Sequence, residues 1–107
     1  MSKYIVITTT TDSKEEANKI SEILLKKRLV SCCQLFNLTS AYWWEGKIEH
    51  ADEILIQMKT RKEHYKEIEE TILDNHSYEI PEIFACDIVD GYKGYLDWIN
   101  KETEKEH

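Results

Sequence analysis

Residues 30–59 read VSCCQLFNLTSAYWW, EG, KIEHADEILIQMK, and this stretch decides the fold. Both arms, 30–44 and 47–59, have the aromatic and aliphatic content of extended strands. Glu45-Gly46 between them suits a tight two-residue hairpin turn. The arms hold 15 and 13 residues, against about 5–6 for an ordinary strand. Laid straight at ~3.3 Å per residue, they reach about 40–50 Å.

Outward from the hairpin, each side carries a helix and then a strand. On the N-terminal side, Lys3 to Thr9 is a strand rich in β-branched residues. Thr10 to Ser13 opens a helix, with Ser13 and Glu16 at capping-box spacing. Ala17, Ile20 and Leu24 form its buried stripe, widened by Ile23, and Lys26, Lys27 and Arg28 suit its negative end. On the C-terminal side, Thr60 and Glu63 repeat the box and start a second helix. Its stripe is Tyr65, Ile68 and Ile72, with Leu73 alongside. Asn75 and the run to Pro81 stop it. Ile83 to Val89 lacks alternation, as expected of a strand covered on both faces. Tyr95 to Asn100 is a short terminal helix, and 101–107 is a solvated, frayed tail. The whole of 1–107 is one domain. Strand, helix, hairpin, helix, strand is the α+β, ferredoxin-like βαββαβ order, with two helices on one face of a four-stranded antiparallel sheet.

The outer strands, seven residues each, span only about 23 Å. The hairpin must therefore bend, bulge or project beyond them. A projecting ribbon tipped with Tyr42, Trp43 and Trp44 exposes an apolar patch of the kind that marks an interface. A second copy of the chain, pairing by its strand edges, is the expected cover.

Composition narrows the function. A net charge of −7 argues against a nucleic-acid surface, which needs a basic stripe. No apolar run approaches the ~20 residues of a membrane span, and no export signal is expected at Met1-Ser2-Lys3. Three cysteines, two of them adjacent, make no disulfide framework and fit a reducing cytoplasm. A catalytic role is not expected: Thr8 to Asp12 offers neither the Arg nor the Gly of an anion-cradling hydrolase loop. Glu53 to Lys59 lacks the basic-aromatic signature of an RNA-recognition sheet.

Tyr42-Trp43-Trp44-Glu45-Gly46-Lys47-Ile48 resembles the central signature of the CutA family, the divalent-cation tolerance proteins. His76-Ser77-Tyr78-Glu79-Ile80-Pro81-Glu82-Ile83 resembles that family's segment before the last strand. Arg28-Leu29, Lys59-Thr60 and Tyr95-Leu96-Asp97-Trp98 are further matches, so the resemblance runs from Tyr4 to Asn100. It implies a cytosolic homotrimer of ferredoxin-like subunits linked to copper and other divalent cations. Two positions depart from the family pattern. Thr8 stands where some members have cysteine, and Ser77 replaces the usual proline.

Candidate metal ligands are Cys32, which matches the family's second-strand cysteine, together with Cys86 and His76. Soft thiolates suit copper, and imidazole with carboxylates suits Cu(II) or Zn(II). Cys32 and Cys33 point to opposite faces, and Cys32 and Cys86 lie on opposite sheet edges, about 14 Å apart. Inert thiols and a structural loop histidine are the competing readings. His50 and His64 sit on solvated stretches and His107 in the tail, without a role. A cleft between subunits is the other candidate site, lined by Tyr42, Trp43, Trp44, Glu45, Lys59, Tyr78 and Glu82. With Lys59 beside a helix start, such a cleft suits a small anionic ligand, as in PII-like signalling trimers. Aromatic packing between copies competes for Tyr42, Trp43 and Trp44.

Overall fold

The computed structural model describes residues 3–104. β1 (Tyr4–Thr11), α1 (Lys14–Lys26), β2 (Cys32–Trp44), β3 (Lys47–Arg61), α2 (Tyr65–Asn75), β4 (Ile83–Asp87) and α3 (Lys93–Glu102) follow in order. The sheet is antiparallel throughout, in the order β2-β3-β1-β4. This is the expected ferredoxin-like arrangement. No described helix is long and apolar enough to cross a membrane.

Strand alternation builds the core. Ile5 and Ile7 of β1 pair with Thr60 and Met58 of β3, and Thr9 pairs with Ile56, so one face of the sheet is apolar. Against that face α1 sets Ala17, Ile20 and Leu24, and α2 sets Ile68 and Ile72, all fully buried. Burying each such large side chain contributes about 1.5–3 kcal/mol. Ser13 caps α1 by accepting from the Glu16 amide at 3.1 Å. The capping box is only half made, because the Glu16 carboxylate accepts instead from the amide and hydroxyl of Ser77. At the other end, Leu29 N–H donates to Leu24 and Arg28 N–H to Leu25. That is a Schellman stop, with Arg28 at φ 60° where glycine is usual.

The hairpin projects, and it does so without a bulge. Cross-strand partners run unbroken from Cys32 opposite Lys59 to Trp44 opposite Lys47. Glu45 and Gly46, at φ 50° and 79°, make the left-handed turn that the twist of two strands demands. β1 pairs with β3 only as far as Ile54, so 47–53 and their β2 partners stand clear of the sheet.

Several expectations are corrected. β1 continues to Thr11, and the second helix does not begin at Thr60. Thr60 is a buried strand residue whose hydroxyl donates to the Leu29 carbonyl. The strand period that carries Ile56 and Met58 inward also carries Thr60, and it outweighs the Thr-x-x-Glu spacing. A 3₁₀ turn, Lys62–His64, leads into α2 instead. Leu73 is 50% exposed rather than packed with Ile72. β4 is shorter than 83–89 and is an edge strand with Phe84, Ala85, Cys86 and Asp87 exposed, not one covered on both faces. The terminal helix is longer than expected, reaching Glu102, and Thr103 is fully buried rather than part of a solvated tail. Residues 105–107, including His107, lie outside the described residues. His64 is buried too, its Nε2 within 3.1 Å of the Arg61 guanidinium and 3.0 Å of the Thr103 carbonyl. Arg61 also donates to the Thr103 hydroxyl and carbonyl, so these three residues dock α3 at the end of β3.

Candidate functional site

Beneath the projecting ribbon lies a cavity of about 810 Å³. The ribbon supplies Tyr42, Trp43, Trp44, Glu49 and Glu53, the end of β1 supplies Thr10, and Ser77 to Glu82 close the opposite side. In the antiparallel register Tyr42 stands opposite Glu49 and Leu38 opposite Glu53, so Tyr42, Trp44, Glu49 and Glu53 share one face. Trp43 and Ile48, also partners, share the other.

The segment after α2 is tied at four points. The His76 side chain is fully buried. Its Nδ1 accepts from the Tyr78 amide at 3.1 Å, which places the ring proton on Nε2, donated to the Thr10 carbonyl at 2.7 Å. Glu16 holds Ser77 from the side of α1. The Tyr78 hydroxyl donates to Glu53 Oε2 at 2.8 Å across the cavity. Burial, and then that bond to a carboxylate, raise the Tyr78 pKa, so the hydroxyl stays protonated and donating.

The structure brings together Tyr42, Trp43, Trp44, Tyr78 and Glu82 of the expected cleft. Lys59 and Glu45 are not in its wall. β3 runs on past Lys59, which pairs with Cys32 at the far end of the hairpin and donates to Gln34. Without Lys59 the wall has no cationic side chain among the described residues. Glu53 and Glu49 were missed by sequence reasoning. An acid inside the aliphatic run 53–58, whose neighbours turn inward, was the available signal for Glu53. Its partner Tyr78, 25 residues on, was not legible.

The metal candidates do not converge. Cys32 and Cys86 lie on β2 and β4, three strand steps apart, at about 14 Å. His76 meets Thr10, whereas Cys86 meets Val6, four residues back along β1. Both His76 nitrogens are engaged within the chain, which is the structural reading of that residue. Among the described residues no three His, Cys, Asp or Glu side chains are grouped to hold a metal ion. All three thiols are free. Cys32 approaches the Tyr95 hydroxyl at 3.9 Å, while Cys33 faces the core opposite Met58.

Burial pushes the Cys33 thiol up to about 11. At pH 8 its thiolate fraction is then about a thousandth. Iodoacetamide is expected to modify Cys33 roughly a hundred-fold more slowly in the folded protein than in guanidinium, where the thiol has its ordinary pKa near 8.5. Peptide mass spectrometry reads the two rates, and equal rates would refute the burial. Because the folded state holds this proton more tightly, its stabilising contribution is complete below the unfolded pKa. It is lost as pH rises through the folded value near 11.

The family model for the CutA1 divalent ion tolerance protein matches residues 5–102. The chain belongs to the CutA1 family. Among its relatives is the divalent-cation tolerance protein CutA of Pyrococcus horikoshii. The two are 40% identical over 101 residues, covering 94% of this chain and 99% of the relative. The solved structure of the periplasmic divalent cation tolerance protein CutA from Archaeoglobus fulgidus superposes with a TM-score of 0.93 at 42% identity, over 94% of this chain and 99% of that one. CutA from Xylella fastidiosa gives 0.93 at 33%, over 96% and 100%. These CutA1 relatives lend no support to a PII-like sensor of small anions, and the cavity's carboxylate wall does not favour one.

Proposed function

We infer that this CutA1 chain serves divalent-cation tolerance as a non-catalytic, cytoplasmic homotrimer that binds copper or another divalent ion transiently. The family supports the cation role. Support for assembly comes from the projecting ribbon, with Trp43 73% and Ile48 57% exposed, beside two unpaired sheet edges. A ring in which β2 of one copy meets β4 of the next uses both edges and closes. Such pairing brings the β2 thiol Cys32 towards the β4 thiol Cys86 of another copy, which one chain alone keeps apart. Free thiols favour the cytoplasm, although the A. fulgidus relative is described as periplasmic.

The observation that carries the metal reading to these residues is that the described residues of one chain hold no grouped ligand set, so a metal there would be shared between copies. Titration of the reduced protein with Cu(I) and Cu(II), followed by calorimetry, tests it. Weak saturable binding is expected, lost at least tenfold in the Cys32→Ser/Cys86→Ser variant. Copper that binds the double variant as well as the parent removes both cysteines from the site. Copper that binds neither removes direct metal binding from the function.

A further inference from the structure

The two faces of the sheet are covered to different depths. α1 and α2 fill one face, and α1 alone buries Ala17, Ile20, Ser21 and Leu24. α3 lies on the other face, the one to which Cys32 points, since the Tyr95 hydroxyl is 3.9 Å from the Cys32 sulfur. Of the ten residues of α3 only Ile99 is buried. Val89 to Tyr95 are exposed throughout, and no described side chain caps the helix start at Tyr92. The Ile88 amide, bonded to the Tyr4 carbonyl, is the last of this segment's described backbone ties to the sheet.

What fixes α3 is its far end. From the turn after α1, Arg28 donates to the Glu102 carboxylate at 2.8 Å. From the end of β3, Arg61 donates to the Thr103 hydroxyl at 2.9 Å and to the Thr103 carbonyl at 2.7 Å. Guanidinium groups suit this position, because carbonyls at a helix C-terminus lack intrahelical partners and carry the negative end of the dipole. A helix with one buried apolar side chain, tied by polar bonds at a single end, is the kind of element that opens locally while the rest of the domain stays folded.

We propose that α3 is a hinged lid over the Cys32 thiol, turning about residues 89–92 and latched by Arg28 and Arg61. Closed, it holds Tyr95, stacked on Trp98, beside the sulfur. Open, it admits a soft metal ion or an electrophile to the thiol. The lid is built within one chain, so its failure would leave the divalent-cation reading standing. Cys33 is an internal control. It follows Cys32 in the same strand but faces the core, so opening of the lid bares one thiol whereas global unfolding bares both.

Iodoacetamide labelling of the intact, reduced protein, resolved to each cysteine by tandem mass spectrometry, tests this alongside amide hydrogen exchange. In Arg28→Gln/Arg61→Gln, Cys32 is expected to react at least fivefold faster than in the parent, with Cys33 changed less than twofold. The α3 amides are expected to exchange faster by a similar factor, and those of α1 at the parent rate. Glu102→Gln keeps both guanidinium groups and loosens one latch, so a rise of about two- to threefold at Cys32 is expected. It carries the test should the double variant fail to fold. Equal acceleration of Cys33 would mean that the arginines hold the whole domain rather than a lid, and would overturn the proposal. So would an unchanged Cys32, whether the thiol is reached beside a closed α3 or is covered by another copy.

Discussion

Replacing Trp43 and Ile48 together by serine is expected to convert a particle of three times the 12.7 kDa chain mass into single chains at micromolar concentration. The two residues are register partners on one face of the ribbon, 73% and 57% exposed in the isolated chain. Within the chain they bury little, so serine costs the fold little. In an assembly each contributes about 1.5–3 kcal/mol of burial, repeated at every interface of a closed ring. Losing both across three interfaces removes enough to dissociate it. Light scattering reads the mass, and far-UV circular dichroism shows that the sheet survives. A parent protein that already scatters as one chain would remove the homotrimer. A variant that remains a trimer would move the interface away from the ribbon tip.

The core answers differently. Ile56→Ala is expected to lower unfolding stability by about 3–4 kcal/mol, within the range for emptying a buried isoleucine site. Ile56 is fully buried on β3, opposite both Thr9 of β1 and Leu35 of β2, so neighbours on two strands border the void. Leu73→Ala, at a half-exposed helix position, is expected to cost less than about 1 kcal/mol, near the ordinary range for surface changes. Urea unfolding at one fixed protomer concentration compares them, because assembly makes stability concentration-dependent. Equal losses would mean that Leu73 is packed after all.

The fold was legible where local chemistry and long-range packing agree. Glu45-Gly46 is a turn in both senses, and Ala17, Ile20 and Leu24 form a helix face that the sheet does cover. Thr60 shows where they part. Its spacing to Glu63 imitates a helix start, but pairing with Ile5 and the bond to Leu29 keep it in the strand. That single displacement also moved Lys59 out of the cleft. His64 and Thr103 were hidden for a related reason, since each is buried by contacts across 39 residues and neither lies on an apolar stripe. In the cavity, the aromatic run announced itself. A structural role for His76 was one of its two readings, but its partners Thr10 and Tyr78 are invisible until β1 and the loop meet.

The unbroken ladder from Cys32 to Trp44 gives the two residues at its tip an influence beyond their size. In a ribbon the side chains alternate with strict parity, so sliding one arm by a single position exchanges front and back along that arm. Here the front carries Tyr42, Trp44, Glu49 and Glu53, and the back carries Trp43 and Ile48. An odd-numbered insertion or deletion in one arm would therefore trade recognition for stickiness, whereas a change of two would preserve the sidedness and alter only the reach. Glu45 and Gly46 thus act as the phase reference for the acids and rings along the ribbon, although neither lines the cavity.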